Sequence, residues 1–208
     1  MKRFMGWMML IMLLAGVLST ACADEFTLRN GIRFNDTMDE VLSKETEPFA
    51  TIDREGGMLK TEEGQISNIY GTSVDFHFEE DRLYAMYYRY PAFKLDWATA
   101  GCYELINEAL VEKYGRPLSG KAAESVIQSG CFTADSLIAY LSGGSVCQSD
   151  EWLIEYSDYS VKIEHIYYYN GATEEYEHDL SYVLITDDEI QSREEEKQKN
   201  KDQLGSQL

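Results

Sequence analysis

A two-residue alternation of apolar and polar side chains constrains this chain more than any other feature. In SVDFHFEE, Val74, Phe76 and Phe78 alternate with acidic residues and a histidine. The tyrosine-rich stretches at 82–90 and 151–170 alternate in the same way and are separated from their neighbours by short polar turns. Successive side chains of a strand point to opposite faces of a sheet, so this period predicts half-buried strands that pair antiparallel.

Two other segments have helical spacing. Thr37 and Glu40 are placed as in a capping box, and apolar residues follow on one helical face. Between 97 and 114, apolar residues that include Leu105 and Leu110 recur at three- and four-residue steps. The sequence therefore predicts two amphipathic helices.

Together these patterns predict an α+β fold, in which helices near 37–46 and 97–114 pack on one face of an antiparallel sheet. Residues 24–186 are predicted to form a single domain built from two α-plus-meander halves, 24–95 and 96–186. The segments 118–149 and 170–178 are predicted to be loops, apart from a short helix in TADSLIAYL.

Residues 187–208 contain the charged run REEEKQKNKD and have no apolar stripe to pack. We expect a disordered or frayed helical tail there.

The N-terminus has the features of a secretory signal peptide over 1–23. Two basic residues precede an apolar stretch from Phe4 to Leu18, and Ala21 and Ala23 then flank Cys22. The apolar stretch is shorter than a membrane span requires. We therefore expect a domain outside the cytoplasm.

Two routes of processing fit this N-terminus. Cleavage after Ala23 by signal peptidase I would release a secreted protein. LSTAC is also a loose lipobox, and cleavage before Cys22 by signal peptidase II would leave Cys22 as a lipidation candidate and the protein attached to the cell membrane.

The charge of the chain excludes several classes of partner. All 37 acidic residues lie after Ala23, whereas two of the 18 basic residues precede it. A domain this acidic repels nucleic acid and anionic lipid, so we expect membrane contact only through a lipid anchor.

Three cysteines follow Cys22. Cys131 and Cys147 are candidates for a disulfide that closes a modest loop, which leaves Cys102 free on the second predicted helix. Sequence alone does not determine the connectivity.

The residues that carry chemistry do not form a recognisable catalytic pattern. The chain has three histidines and no nucleophile elbow, zinc-binding helix motif, phosphate-binding glycine loop or paired cysteine motif. EEYEHD at 174–179 lacks the ligand spacing of a calcium loop, so no metal site and no cofactor are predicted. His165 falls on the apolar face when counted by twos from Val161 and Ile163, and is predicted to be a hydrogen-bonded core residue or to mark a bulge.

The phrase LRNGIRFNDTMDEVLSKE, followed by a meander, resembles small bacterial envelope modules of the SmpA/OmlA and β-lactamase-inhibitory-protein type. The likeness rests on residues 28–45, in particular Gly31, Ile32, Phe34 and Met38. Asn35 departs from the glycine that such modules often have. What the resemblance implies is a helix packed on an antiparallel sheet, in a non-catalytic binding or assembly module.

The tyrosines suggest where such a module would bind. Tyr84, Tyr88 and Tyr90 share one parity in 82–90, and Tyr168 lies in the second tyrosine-rich strand. Tyrosine favours strands and also anchors interfaces, so these rings either fill the sheet's own core or form an outward binding face.

The sequence therefore predicts a non-enzymatic module that recognises a protein or envelope component through Tyr84, Tyr88, Tyr90 and Tyr168. The alternatives are a small-ligand or glycan-binding protein that uses exposed aromatic rings, and an unrecognised hydrolase.

Overall fold

The computed structural model describes residues 25–66, 68–122 and 143–186. Two α-helices lie in these ranges, α1 over Met38–Lys44 and α2 over Asp96–Tyr114, and Arg29–Gly31 forms a short 3-10 helix. Nine strands accompany them: β1 Phe49–Asp53, β2 Met58–Thr61, β3 Gly64–Ile66, β4 Ile69–Glu79, β5 Arg82–Arg89, β6 Ser119–Ala122, β7 Ser145–Glu155, β8 Tyr159–Asn170 and β9 Glu175–Thr186.

The strands form one antiparallel sheet. Its order is β1-β2-β4-β5-β9-β8-β7-β6, and β3 pairs with β4 outside this path. Buried side chains of α1 and α2 belong to the same hydrophobic cluster as residues of β2, β4, β5, β7, β8 and β9. The predicted α+β fold, a sheet packed by helices, is confirmed.

In the described part of the chain, each α-helix is followed by a set of antiparallel strands. Five strands, β1 to β5, follow α1, and the four strands β6 to β9 follow α2. The two sets meet where β5 pairs with β9, for example at Met86 opposite Tyr182. The join is thus made by strands in the middle of the sheet.

Helix α1 begins as its sequence predicts. The Thr37 side chain accepts a hydrogen bond from the Glu40 amide, and the Glu40 carboxylate accepts one from the Thr37 amide. Met38 and Val41 are the buried residues of α1, so the helix packs on the sheet through one short face.

An Asn-Gly turn precedes α1. Thr27 and Arg33 form an antiparallel bridge around the turn. Asn30 and Gly31 adopt φ angles of 54° and 72°, a left-handed conformation that these two residue types tolerate best. The turn brings Phe26 and Phe34 into contact with a ring-centroid distance of 6.0 Å.

A single row of buried side chains crosses six strands on the face that the helices cover. Each member lies opposite the next in the strand register: Leu59, Phe76, Met86, Tyr182, Ile163 and Trp152. None of the six is more than 8% exposed. This row forms the centre of the core and runs through both halves.

Two predicted loops are strands instead. Ser119–Ala122 forms β6, and β7 begins at Ser145, inside the segment predicted to be a loop. β9 begins at Glu175, within the predicted polar loop. β6 is a strand because it pairs with β7, and the first residues of β7 and β9 are strands because they pair with the end of β8; no local pattern reveals these pairings.

Several predictions fall outside the described residues. These are the signal peptide 1–23, the lipidation candidate Cys22, the short helix in TADSLIAYL, and the tail 187–208.

Candidate functional site: a tyrosine-lined groove beside helix α2

A groove of about 410 Å³ separates α2 from strands β4, β5 and β9. Its apolar lining comes from both sides: Ile69 and Leu180 from the sheet, and Ile106 and Leu110 from the helix. Leu105 and Lys113 also line it, and Leu105 is 60% exposed. The groove is therefore open to solvent beside an exposed leucine.

Three tyrosines line the groove: Tyr88, Tyr90 and Tyr182. The rings of Tyr88 and Tyr90 are stacked at 6.1 Å, and Tyr182 meets Tyr88 edge-on at 6.2 Å. The strand register explains this grouping, because Tyr88 lies opposite Leu180, and Tyr182 lies two pairs further along on the same face of the sheet. The sheet thus holds the three rings in fixed positions.

The hydroxyls of these tyrosines stay protonated. Burial raises the pKa of Tyr88 to about 12 and raises the pKa values of Tyr90 and Tyr182 above the ordinary tyrosine value. The phenols are therefore neutral hydrogen-bonding groups at physiological pH. A groove with this lining suits apolar or aromatic groups that carry a few polar atoms.

The structure separates the four tyrosines that the sequence grouped as one binding face. Tyr88 and Tyr90 line the groove, where they are half-buried and 9% exposed. Tyr84 is 37% exposed and contacts the His77 ring at 6.4 Å. Tyr168 is 2% exposed and lies among carboxylates.

A β-bulge accounts for the position of Tyr84. Phe78 pairs with Leu83 and His77 pairs with Ala85, so Tyr84 is the extra residue of β5. The extra residue reverses the alternation beyond it. The predicted shared outward face is therefore wrong, while a binding role for each ring stays a prediction.

A second groove, of about 490 Å³, lies along the opposite flank of α2. Glu104, Glu108 and Glu112 line it at four-residue intervals, together with Tyr103 and residues that include Gln148. All three glutamates are exposed. Helix α2 thus separates an apolar groove from an acidic one.

A buried aromatic cluster lies beneath the N-terminal half of α2. Tyr103 donates a hydrogen bond to Asp150 at 2.6 Å and stacks on the His165 ring at 4.0 Å. His178 lies 5.5 Å from His165 and meets Tyr90 edge-on at 4.4 Å. Tyr90 therefore links this cluster to the tyrosine-lined groove.

The two histidines of this cluster are neutral. His165 is 0% exposed and His178 is 1% exposed, and neither ring nitrogen of either residue has a hydrogen-bond partner in the described part of the chain. Burial lowers the pKa of His178 to about 3 and that of His165 well below its usual value. His165 is on the apolar face, as predicted, but it is not hydrogen-bonded through its ring.

The opposite face of the sheet carries an ionic network. Arg89 donates hydrogen bonds to Asp75 at 3.1 Å and to Asp179 at 2.9 Å. The Tyr168 hydroxyl lies 3.1 Å from Asp179 and 3.0 Å from Glu177. Tyr168 is thus part of a polar network on the face of the sheet opposite to the helices.

The cysteines do not form an activated nucleophile in the described residues. Cys102 and Cys147 are half-buried and not joined to each other, and burial raises the pKa of both thiols. Thiols with raised pKa values are weak nucleophiles at neutral pH. Cys131 lies outside the described residues, so its pairing with Cys147 stays a prediction.

Within the described ranges, no cluster of three or more histidine, cysteine or acidic side chains is arranged to hold a metal ion. No helix there is long and apolar enough to cross a membrane.

Sequence reasoning found two of the three tyrosines in the groove but missed the groove itself. Tyr88 and Tyr90 were candidates because of their alternation, whereas Leu105 was assigned to the packed face of α2. The structure buries Ile106 and Leu110, as their spacing predicts, together with Thr99 and Tyr103, and leaves Leu105 exposed. The exposed side of α2 also carries Trp97 at 74% exposure, so apolar spacing alone did not identify the buried face.

Comparison with known proteins adds no assignment. No family model matches this chain, and neither a curated protein nor a solved structure matches it. The likeness to the SmpA/OmlA and β-lactamase-inhibitory-protein type stays a prediction.

Proposed function

We propose that this protein is a non-catalytic binding module, secreted or lipid-anchored, that recognises a protein of the cell envelope. Its binding site is the groove lined by Tyr88, Tyr90 and Tyr182, and Leu105 provides an apolar contact at its edge. An apolar side chain of the partner enters the groove and covers Leu105.

One observation carries this proposal: a solvent-open groove whose aromatic lining is already ordered. Tyrosine is enriched among the residues that dominate binding energy, and its two side-chain torsions cost little entropy to fix. Here the stacking of Tyr88 on Tyr90 and the contact with Tyr182 fix those torsions before a partner arrives. Preorganised sites lose less free energy on binding.

Leu105 is the residue to alter, because it lines the groove without supporting the core. Its 60% exposure makes a polar substitution there mild for stability, whereas truncation of Tyr90 or Tyr182, which are less than a tenth exposed, would destabilise the core. Leu118 is 69% exposed and does not line this groove, so it is a matched control.

The test is site-specific photocrosslinking in intact cells. A photoreactive phenylalanine analogue replaces Leu105 in one version of the full chain and Leu118 in the other. We expect one dominant protein adduct from position 105, absent from position 118 and suppressed by an excess of the unmodified protein. Identical adducts from both positions, or no adduct from 105, would contradict the proposal.

The glycan-binding alternative has its own readout. A glycan array that responds to the wild type and not to Leu105→Gln, with no protein adduct from position 105, would replace the proposed partner by a carbohydrate.

A further inference from the structure

The exposed side of α2 carries a row of negative charge, across the helix from the tyrosine-lined groove. Glu104, Glu108 and Glu112 lie one turn apart, and residues four apart are neighbours on a helix surface. Like charges in this arrangement repel each other and weaken a helix. The repulsion among these three carboxylates therefore lowers the stability of α2 when no partner is bound.

No described cation offsets this cost. None of the ion pairs among the described residues involves Glu104, Glu108 or Glu112. Lys113 borders the other groove and lies over the Tyr114 ring at 4.8 Å. In the acidic groove, the side-chain oxygen of Asn107 is buried and lacks a hydrogen-bond partner within the described ranges. Among the described residues, the three glutamates of this flank therefore have no paired cation, and the Asn107 oxygen receives no hydrogen bond.

Apolar contacts accompany these charges on the same exposed side. Trp97 is 74% exposed and lies two turns before Leu105, with Gly101 between them. A side chain added at Gly101 would meet nothing within 4 Å, so the helix has an open notch between two apolar residues. A partner that covers the exposed side of α2 would therefore meet apolar groups and carboxylates together.

We propose that the partner presents a cationic amphipathic segment to α2. This inference rests on the proposed function and specifies the partner of the same groove. The apolar side chains of the segment enter the groove beside Leu105, and its lysine or arginine side chains lie against Glu104, Glu108 and Glu112. The first and last of these glutamates are about 12 Å apart along the helix axis, so basic residues two turns apart on a partner helix would reach both.

The charge of the whole chain supports the same occupant. The formal net charge is −19, which accelerates the approach of a cation and slows that of an anion. The test must therefore separate attraction to the row on α2 from attraction to the protein as a whole.

The probe is a fluorescent synthetic helix of leucine and lysine, with lysines at four-residue intervals. Two comparison peptides replace either every lysine by glutamate or every leucine by serine. Fluorescence anisotropy measures their binding to the full chain at low and at physiological salt. We expect the leucine–lysine peptide to bind, the leucine–glutamate peptide not to bind, and the serine–lysine peptide to bind only at low salt.

Two charge-matched triple variants locate the site. Glu104→Gln, Glu108→Gln and Glu112→Gln together should weaken binding of the leucine–lysine peptide about tenfold, since each exposed ion pair contributes a fraction of a kcal/mol. Glu55→Gln, Glu62→Gln and Glu63→Gln remove the same charge from exposed positions outside α2 and should leave binding unchanged.

Equal weakening by both triple variants would overturn the inference, because only the net charge would then matter. Binding of the leucine–glutamate peptide that is lost in Leu105→Gln would also overturn it, while supporting the groove as a binding site. If no peptide binds, the inference of a cationic partner is wrong, and the proposed function is unaffected. The proposed function fails separately if the photocrosslink from position 105 is absent.

Discussion

Arg89 shows how a charged residue is accommodated within the sheet. Its guanidinium reaches carboxylates on both neighbouring strands, Asp75 on β4 and Asp179 on β9, and also lies 5.0 Å from the Tyr87 ring centre. Asp179 is in turn within hydrogen-bonding distance of Tyr168. Tyr168 therefore has a structural role that is sufficient to explain its presence.

Tyr168→Phe tests this role with the loss of one oxygen atom. The ring fits the same space, but the carboxylates lose a donor, so we expect the free energy of unfolding to fall by about 1–3 kcal/mol. Urea denaturation measures the change. Tyr70→Phe, at a residue that is 72% exposed, is the control and should change the free energy by less than about 0.5 kcal/mol. Equal effects of the two substitutions would contradict the assigned role.

The buried histidines make the protein sensitive to acid. The pKa of His178 is about 3 in the folded state, lowered by burial, whereas an unfolded histidine titrates near about 6.5. Between these values the unfolded state binds a proton that the folded state does not, so stability falls as the pH falls below about 6.5. Above that pH both states are neutral and His178 contributes no pH dependence.

His178→Phe tests this linkage. From pH 7 to pH 5, each such histidine should lower the free energy of unfolding by about 2 kcal/mol. Urea denaturation at the two pH values should therefore show a loss that is about 2 kcal/mol smaller in the variant than in the wild type. The comparison is internal to each protein, so an overall destabilisation of the variant does not affect it. The same loss in both proteins would show that His178 titrates normally when folded.

At the scale of single elements, sequence patterns identified those features that depend on contacts between residues close together in the chain. The capping box at Thr37 and the Asn-Gly turn at Asn30 form within a few residues, and both were recognisable. The bulge at Tyr84 was not recognisable, because it depends on which residue of β4 faces which residue of β5. The strand at Glu175 was missed for the same reason.

Two glycines, one crowded and one in open space, test the conformations described for a turn and for helix α2. At Gly57, φ is +65° and an added side-chain carbon would lie 2.5 Å from the Phe78 carbonyl oxygen. Gly57→Ala should therefore lower the free energy of unfolding by about 1–3 kcal/mol. Gly101 lies in α2 with nothing within 4 Å, so Gly101→Ala should raise it by about 0.5–1 kcal/mol. Thermal or urea denaturation would measure both changes in the free energy of unfolding. If both changes had the same sign, the conformation described for one of the two glycines would be wrong.

At the scale of the molecule, the candidate site joins parts of the chain that the sequence keeps apart. Tyr88 comes from β5, Tyr182 from β9 and Leu105 from α2, and only the strand order brings them together. The alternation of 82–90 was enough to suggest Tyr88 and Tyr90. The order of strands, which places β9 beside β5, could not be derived from local patterns.

The six-strand row predicts that the halves unfold together. Met86 is 1% exposed in the middle of the row, between Phe76 in the first half and Tyr182 in the second. Met86→Ala should lower the protection of backbone amides in β4 and β8 by a similar amount, about 2–4 kcal/mol, in native-state hydrogen exchange.

Ile52→Ala, on the edge strand and 53% exposed, is the control and should leave β8 unchanged. If Met86→Ala reduced protection in β4 while β8 kept its own, the two halves would be independent cooperative units.

The pairing of β5 with β9 also has a consequence for biosynthesis. Arg89 and Asp179 meet across these strands although they are 90 residues apart in the chain. At translation rates of about 5–20 residues per second, β5 exists for about 5–20 seconds before its partner is made. During that interval one edge of β5 can pair with another nascent chain, as unprotected strand edges do. The interval between the synthesis of β5 and that of β9 is therefore a time at which copies of this chain can associate through the unpaired edge of β5.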